Sequence, residues 1–253
     1  MKKYLILTFS YLLLFYIATI CFPYDLISNN LSVCLILRSV TKLVLSIIMV
    51  VVVALDKNRI FNFKKLTLGS LLFLPLLVAS FSNILFVLIT NAPTHDFNGQ
   101  NFAFSLMSDV AVAAIEETLF RAILLVLFIV IFENKKYKRT YAILCSSIAF
   151  ALLHFLNLLS SPIIPVLTQV GYTFVLGLIL GGIYVLSENI IMSMIGHLVF
   201  NFFNTTLYVS LYQGNDTAAY YIYSSILAVI ILAYFIVIYF LWMKKKFKQV
   251  EKN

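Results

Sequence analysis

The chain has 253 residues, of which 62% are hydrophobic and 11% charged, and its formal net charge is +8. Soluble domains carry about 25% charged residues, so this composition excludes a soluble domain and predicts a polytopic membrane protein. The basic residues lie in short segments between apolar runs and at the two ends of the sequence. This distribution disfavours nucleic acid as a partner, because no basic domain is left to bind it.

Hydropathy predicts an all-α fold of about eight transmembrane helices, each near the ~20 residues that a bilayer requires. In chain order the predicted spans are 4–22, 31–55, 66–90, 102–132, 141–159, 162–186, 189–211 and 218–243. We expect Pro75 to kink the third span, and the fourth span to tilt or break because it is too long for a plain crossing. The sequence predicts a single membrane domain, residues 1–253.

The basic residues also predict how the chain is oriented. Lys and Arg cluster before the first span and after the second, fourth and eighth, whereas the opposite loops contain neither. With eight spans these clusters all lie on one side, so the positive-inside rule predicts that both termini are cytoplasmic. The last cluster can also bind anionic membrane lipid. The clustered residues are Lys2, Lys3, Lys57, Arg59, Lys64, Lys65, Lys135, Lys136, Lys138, Arg139, Lys244, Lys245, Lys246, Lys248 and Lys252.

Three ionisable residues, Glu116, Glu117 and Arg121, lie in the middle of the fourth span. A charge at the bilayer centre costs roughly 2.5–3.5 kcal/mol, so the cluster requires a reason. Glu117 and Arg121 have the i,i+4 spacing and order of an ion pair, whereas Glu116 points about 100° away around the helix. The spacing predicts one paired carboxylate and one available as a general base or metal ligand. The alternative is a buried ion-pair network that only holds the helices in register.

Two histidines lie in predicted spans at depths similar to that of Glu116. His154 and Glu116 are about 20 and 24 Å along their helices from the cytoplasmic side. His197 and Asn201 are about 14 and 20 Å from it. Their i,i+4 spacing lets an imidazole and an amide donate to one oxygen, as in an oxyanion site. The alternative for each is an ordinary hydrogen bond between helices. His95, in an external loop, is expected to be solvated and non-catalytic.

Other residues of the spans have structural or undecided roles. Gly177 and Gly181 form a G-x-x-x-G pattern, which predicts close helix packing rather than chemistry. Arg38 and Lys42 lie one turn apart in the second span and either snorkel to the interface or line an aqueous cavity. Three further polar residues either support the site or pack helices: Asp109, Asn157 and Asn204.

The polar sites together resemble the motifs of the CPBP family, which comprises CAAX prenyl endopeptidases and bacteriocin-processing intramembrane proteases and is also called the Abi family. The family pattern is E-E-x-x-x-R, then F-x-x-x-H, then H-x-x-x-N, on successive membrane helices. The resemblance covers about residues 105–205 as the family-like catalytic core, with the motifs in order. The matching residues are Glu116, Glu117, Arg121, Phe150, His154, His197 and Asn201.

The resemblance implies an eight-helix fold with its site in an intramembrane cavity open to the cytoplasm. It also implies roles for the matching residues. Glu116 and His154 would activate a water molecule, and His197 and Asn201 would form the oxyanion site. Three residues would hold Glu116 and the helices in place or pack near the site: Glu117, Arg121 and Phe150.

The cofactor is left open by the sequence. The family is often labelled a metalloprotease, and Glu116, His154 and His197 are the ligand types of a thermolysin-like zinc site. However, there is no H-E-x-x-H on one helix, and the three ligands would come from three helices. We therefore favour a glutamate-dependent mechanism that requires no cofactor, with zinc as the alternative.

The predicted function is an intramembrane endopeptidase that uses activated water, because no Ser or Cys stands beside the histidines as a nucleophile. Its composition indicates a bacterial plasma-membrane protein. A peptide pheromone, a bacteriocin leader or a membrane-anchored protein is then expected as the substrate rather than a prenylated CAAX protein. The alternative is a non-enzymatic proton or cation pathway or a peptide-binding scaffold, since intramembrane Glu and His also mark proton relays. A transporter would show internal symmetry, which the sequence lacks. A family member with dispensable catalysis is a third possibility.

Overall fold

The structure is a computed structural model that describes residues 6, 10–11, 31–54, 70–90, 99–207 and 218–244. Within these residues the regular elements are helices and no β-strand occurs, as the sequence predicts. Most of the first predicted span lies outside the described residues, and so does His95.

The helices follow one another in chain order. The first three are α1 (Leu31–Ala54), α2 (Ser70–Ser80) and α3 (Ser82–Thr90). Next come α4 (Gly99–Glu117), a π-helical segment (Thr118–Leu125) and α5 (Val126–Ile131). They are followed by α6 (Lys138–Leu153), a 3-10 segment (His154–Leu159) and α7 (Ile163–Ser187). The last are α8 (Ile190–Asn201), a π-helical segment (Phe202–Leu207), α9 (Ala218–Ile238) and a π-helical end (Tyr239–Met243).

Five helical stretches of the described residues are long and apolar enough to cross a membrane. They correspond to the third, fifth, sixth, seventh and eighth predicted spans. The chain is therefore an integral membrane protein, while the total of eight spans stays a prediction. The five stretches are Leu72–Thr90, Lys138–Leu159, Ile163–Ser187, Ile190–Leu207 and Ala218–Leu241.

Two predicted spans contain irregular turns. In the third, helical geometry continues through Pro75, and the kink expected there stays a prediction; α2 and α3 meet at the turn residue Phe81. In the fourth, π-helical geometry begins directly after Glu117. The hydroxyl of Ser146 on α6 donates to the Phe120 carbonyl oxygen in this π segment at 2.7 Å. Such segments are frequent at functional sites, and this one follows the predicted catalytic carboxylates.

One face of the bundle carries the basic loop between α5 and α6. Arg139 Nη1 lies 3.9 Å from Glu188 Oε1, which places the α7–α8 turn beside this loop. The hydroxyls of Thr140 and Tyr239 are 2.8 Å apart, which places the end of α9 there as well. We call this the basic face, formed by residues 132–140, 188–189 and 239–244.

The other ends of the helices meet at the opposite face, formed by residues 82–90, 99–106, 154–172, 202–207 and 218–224. Here the Asn157 amide donates to Gln169 Oε1 at 2.7 Å across the turn that leads into α7. The rings of Phe86 and Tyr220 have their centroids 5.4 Å apart, which joins α3 to α9. The helices that surround the predicted site therefore run from the basic face to this opposite face.

The apolar core lies in the half of the bundle that is nearer the basic face. On α7, residues 175–187 are all buried, whereas residues 163–174 are mostly half-buried or exposed. A Cβ on Gly177 would lie 2.9 Å from the Ser147 Cβ, and one on Gly181 would lie 3.1 Å from Ile143 Cγ2. These contacts bring α7 onto α6, as the G-x-x-x-G spacing predicts.

Candidate active site

A cavity of about 500 Å³ lies among α2, α3, α4, α6, α7, α8 and α9. Its lining includes Glu116, His154, His197 and Asn201, the four residues predicted to carry the chemistry. Phe150 lines it as well. The three motifs, which extend in sequence from Glu116 to Asn201, therefore converge on one space.

The two adjacent glutamates have different environments. The Glu116 side chain is 17% exposed and lines the cavity. The Glu117 side chain is 0% exposed and lies in the packed half of the bundle. The difference follows from the turn of about 100° between successive helical residues. Water and a substrate can therefore reach Glu116, while Glu117 is enclosed by protein.

Glu117 is the centre of a buried polar cluster. Its Oε1 lies 2.8 Å from Arg121 Nη1, so the ion pair expected from the i,i+4 spacing is present. The same oxygen lies 2.8 Å from His197 Nδ1, and Ser193 Oγ donates to Oε2. One carboxylate thus ties its own helix to α8 through two side chains.

Arg121 contacts Glu117 by proximity rather than by an aligned hydrogen bond. Its Nη1 and Nη2 atoms are buried and make no hydrogen bond of normal geometry, although Nη1 is 2.8 Å from the carboxylate. Its guanidinium carbon lies 4.7 Å from the centre of the Phe150 ring. The cation is therefore stabilised by a close carboxylate and by the aromatic face.

His197 joins the buried cluster to the cavity. A carboxylate only accepts hydrogen bonds, so Nδ1 of His197 donates to Glu117. The other ring nitrogen, Nε2, lies 3.7 Å from Glu116 Oε2. This distance is too long for a direct hydrogen bond, although the two groups are close enough for an ion pair when the ring is protonated. Glu117 therefore orients the His197 ring so that Nε2 faces Glu116.

His154 lies where α6 tightens into the 3-10 segment. Its Nδ1 is 3.0 Å from the Phe150 carbonyl oxygen, which only accepts, so Nδ1 carries the proton. In the neutral ring Nε2 is then an acceptor. The Phe150 ring packs edge-on against both His154 and His197, with centroid distances of 5.1 and 5.9 Å. Phe150 therefore spaces the two histidines.

Asn201 lies one turn beyond His197 at the end of α8 and lines the same cavity. Asn204, in the π segment that follows, holds neighbouring helices together. Its amide donates to the Ala79 carbonyl at 3.2 Å, and its Oδ1 accepts from Ser82 Oγ at 3.3 Å. Asn204, whose role the sequence left undecided, thus packs α2 and α3 against this segment.

The sequence left Asp109 undecided and missed its partners. Asp109 Oδ2 accepts from the hydroxyls of Thr205 and Thr206, each at 2.6 Å. Asp109 also lines the cavity, seven residues before Glu116 and so on the same side of the helix. The only sign of this contact in the sequence was an Asp in one predicted span and two consecutive Thr residues in another. Ser193 was missed too, although it lies one turn before His197.

Arg38 and Lys42 are not among the residues that line the cavity. Arg38 is exposed and Lys42 half-buried on α1. Lys42 nevertheless lies near enough to Glu116 for their charges to interact, so both possibilities for this pair stay predictions.

A metal ion requires several converging donors. In the described ranges, no group of three His, Cys, Asp or Glu side chains is arranged to hold one. Glu116, His154 and His197 line one cavity, but they do not form such a group. No catalytic step is derived through zinc for this reason.

Comparison with protein families identifies the class of protein. Residues 98–203 match the family model described as type II CAAX prenyl endopeptidase Rce1-like. This match supports the resemblance of the chain to the CPBP family of intramembrane proteases. A CAAX protease is a hydrolase that acts on a membrane-associated protein substrate. No curated protein and no solved structure matches the chain.

The family match covers only part of the chain. It includes α4 to α8, which carry all seven motif residues. The cavity walls from α3 and α9 lie outside it, and they contribute Asn83, Tyr220 and Ser224 among others. Part of the cavity wall is therefore built by segments beyond the matched region.

Proposed function

We propose that the protein is a glutamate-dependent endopeptidase that hydrolyses a peptide bond of a membrane-associated protein or peptide by direct attack of water. The observation that carries this proposal is that the two adjacent carboxylates have different environments. Glu117 is occupied by Arg121, His197 and Ser193. Glu116 is left in the cavity, which His154 also lines.

In the first step, water attacks the carbonyl carbon of the scissile bond. Glu116 accepts the proton that the water loses, and His154 Nε2 accepts a hydrogen bond from the same water. The proton on His154 Nδ1 supports this role, because it leaves Nε2 as the acceptor. General base catalysis of this type contributes about 10²–10⁴-fold.

The carbonyl oxygen then becomes an oxyanion, which His197 and Asn201 stabilise by donating hydrogen bonds. His197 donates from Nε2 in its doubly protonated form, while Nδ1 remains on Glu117. One such donor contributes about 10²–10³ in kcat. The C–N bond breaks as the proton passes from Glu116 to the leaving nitrogen, which gives a new carboxylate and a new amine.

The lining suits a peptide because it has two chemically different sides. Leu176 and Ile179 of α7 and Leu227 and Ile231 of α9 form an apolar wall. Asn and Thr side chains of α3, α8 and the following π segment provide hydrogen-bonding groups. An extended peptide could place apolar side chains on the first wall and its backbone amides near the second. A pheromone, a bacteriocin leader or a membrane-anchored protein fits this lining.

The test is cleavage of candidate peptides by the full-length protein in liposomes. Glu116→Gln and His154→Ala should each lose about 10²–10⁴-fold of the rate. Glu133→Gln changes an exposed glutamate of the basic loop and should cleave like wild type. Full cleavage by Glu116→Gln would overturn the assignment. Peptide binding without cleavage by wild type would support the peptide-binding scaffold instead.

Chelation tests the cofactor separately. We expect a strong zinc chelator to leave the cleavage rate unchanged, because the proposed mechanism uses only side chains and water. Loss of activity that is restored by added zinc would replace the metal-free mechanism with a metal-dependent one. Glu116 would remain essential in either case.

A further inference from the structure

The cavity lies on one side of the catalytic residues along the bundle axis. On each helix that lines it, the lining ends well before the basic face. The innermost lining residues are Ala79, Glu116, Phe150, Ile179, His197 and Ile231. From this floor the lining extends to residues of the opposite face, which include Asn83, Asn157, Gln169, Thr205 and Tyr220. The cavity therefore leads from the site toward the opposite face.

The described structure between the site and the basic face is densely packed. Glu117 and Arg121 are 0% and 1% exposed. Ser193 is also fully buried, and α7 is buried throughout residues 175–187. The close approach of α6 and α7 at Gly181 adds to this layer. A substrate that came from the basic face would have to disrupt the Glu117 cluster before it reached Glu116.

The charges fix which face is which. Among the described residues, Lys135, Lys136, Lys138, Arg139 and Lys244 all belong to the basic face, and the residues that form the opposite face include no Lys or Arg. The positive-inside rule places such a side in the cytoplasm. Cytoplasmic basic loops and a cavity open to the cytoplasm, the two expectations from the sequence, cannot both hold for this bundle.

We infer that the catalytic cavity is entered from the extracytoplasmic face. Its substrate is then an exported or membrane-anchored polypeptide whose cleavage site is presented on that side. This inference rests on the proposed protease function and names its substrate class. Residues 91–98 and 208–217 are outside the described structure. The inference therefore depends only on the helices around the cavity.

The charge of the lining supports an internal cleavage site. The two acidic side chains in the described lining are Asp109 and Glu116, and no Lys or Arg contributes to it. Lys42 of α1 is outside this lining, although its charge interacts with that of Glu116. A neutral or basic segment is compatible with these two carboxylates. An internal bond of an exported polypeptide meets this condition.

Cysteine labelling tests the direction of access. The three native cysteines, Cys21, Cys34 and Cys145, are first replaced by Ser, and Ser224→Cys or Lys136→Cys is then added. Ser224 lines the cavity on α9, and Lys136 is exposed in the basic loop. A membrane-impermeant maleimide is applied to intact bacterial cells that express the full chain and to inverted membrane vesicles.

We expect Ser224→Cys to be labelled in intact cells and Lys136→Cys only in inverted vesicles. Labelling of both positions from the same face would overturn the inference. So would a Ser224→Cys variant that is labelled from neither face, because the cavity would then be closed to solvent. Both variants are first shown to cleave substrate, or to keep the wild-type melting temperature, so that misfolded protein is not scored.

Cleavage from each side separates this inference from the function on which it rests. Wild type should cleave a peptide added outside intact spheroplasts, and Glu116→Gln should not. Cleavage only in inverted vesicles would overturn extracytoplasmic access and leave the protease function standing. Absence of Glu116-dependent cleavage from both sides would overturn the protease function, whatever the labelling shows.

Discussion

The half of the bundle near the basic face and the half near the opposite face are built from the same helices but differ in packing. α7 crosses both halves, and it is buried on all sides over residues 175–187 but not over residues 163–174. The first half contains the Glu117 cluster, and the second contains the cavity. The three motifs lie at the boundary. We call the half that contains the Glu117 cluster the closed half and the half that contains the cavity the open half. The closed half can therefore fix the positions of side chains that face water and substrate in the open half.

The boundary passes between two adjacent residues of one helix. Glu116 and Glu117 are chemically identical, yet one lines the cavity and the other is 0% exposed. His197 spans the boundary, since its Nδ1 contacts Glu117 and its Nε2 faces Glu116. The comparison predicts that changes in the closed half affect stability first, whereas changes in the open half affect activity first.

The largest effect on stability is expected from Glu117→Leu. This change removes the carboxylate that neutralises Arg121 and leaves a buried cation, at a cost of about 3–5 kcal/mol in the free energy of unfolding. Glu116→Leu should cost less, because Glu117 remains to neutralise Arg121 at 2.8 Å. Unfolding by heat or by denaturant in detergent micelles measures both. Equal losses would contradict the division of the bundle into two halves.

The double variant Glu117→Leu/Arg121→Leu provides the control. It removes both charges, so it should be less destabilised than the sum of the two single changes. A simply additive result would mean that the contact between Glu117 and Arg121 contributes nothing beyond the volume of each side chain. The double variant should still be inactive, because His197 loses its Nδ1 partner.

A smaller effect is expected from two Gly→Ala changes on α7. At Gly177 the new methyl group would lie 3.0 Å from the backbone Cα of Ser147, so overpacking should cost about 1–3 kcal/mol. At Gly171 no atom lies within 4 Å, so the higher helix propensity of Ala should leave stability unchanged or raise it by about 0.5–1 kcal/mol. Melting temperatures in one detergent compare the two directly. A similar loss at both positions would show that the open half is as tightly packed as the closed half.

The fold was largely predictable from hydropathy because length and apolar content decide whether a helix can cross a bilayer. The spans predicted at 162–186 and 218–243 agree with Ile163–Ser187 and Ala218–Leu241 to within two residues at each end. For the long fourth span the sequence predicted a tilt or a break, but it did not predict the π segment after Glu117. Such a segment depends on what packs beside it, and the Ser146 hydroxyl that bonds to the Phe120 carbonyl comes from another helix.

The site was predictable only where its contacts are local. The Glu117–Arg121 pair follows from helical spacing, and its presence needs no knowledge of other helices. His197 and Ser193 are 80 and 76 residues away from Glu117 in the sequence. Helical spacing within one segment therefore could not predict that they contact it. Depth along a helix was predictable, but the side on which a cavity forms depends on packing between helices.

The smallest of these effects is expected from Thr206→Val, which removes a hydrogen bond to Asp109 in the open half. Interhelical hydrogen bonds in membranes average about 0.6 kcal/mol, so the loss of stability should be of that size. Thr206→Ser keeps the hydroxyl and should retain most of it. Asp109 still accepts from Thr205, and its place on the Glu116 side of the helix makes KM the sensitive readout. A loss as large as that of Glu117→Leu would mean that the open half contributes to stability as strongly as the closed half does.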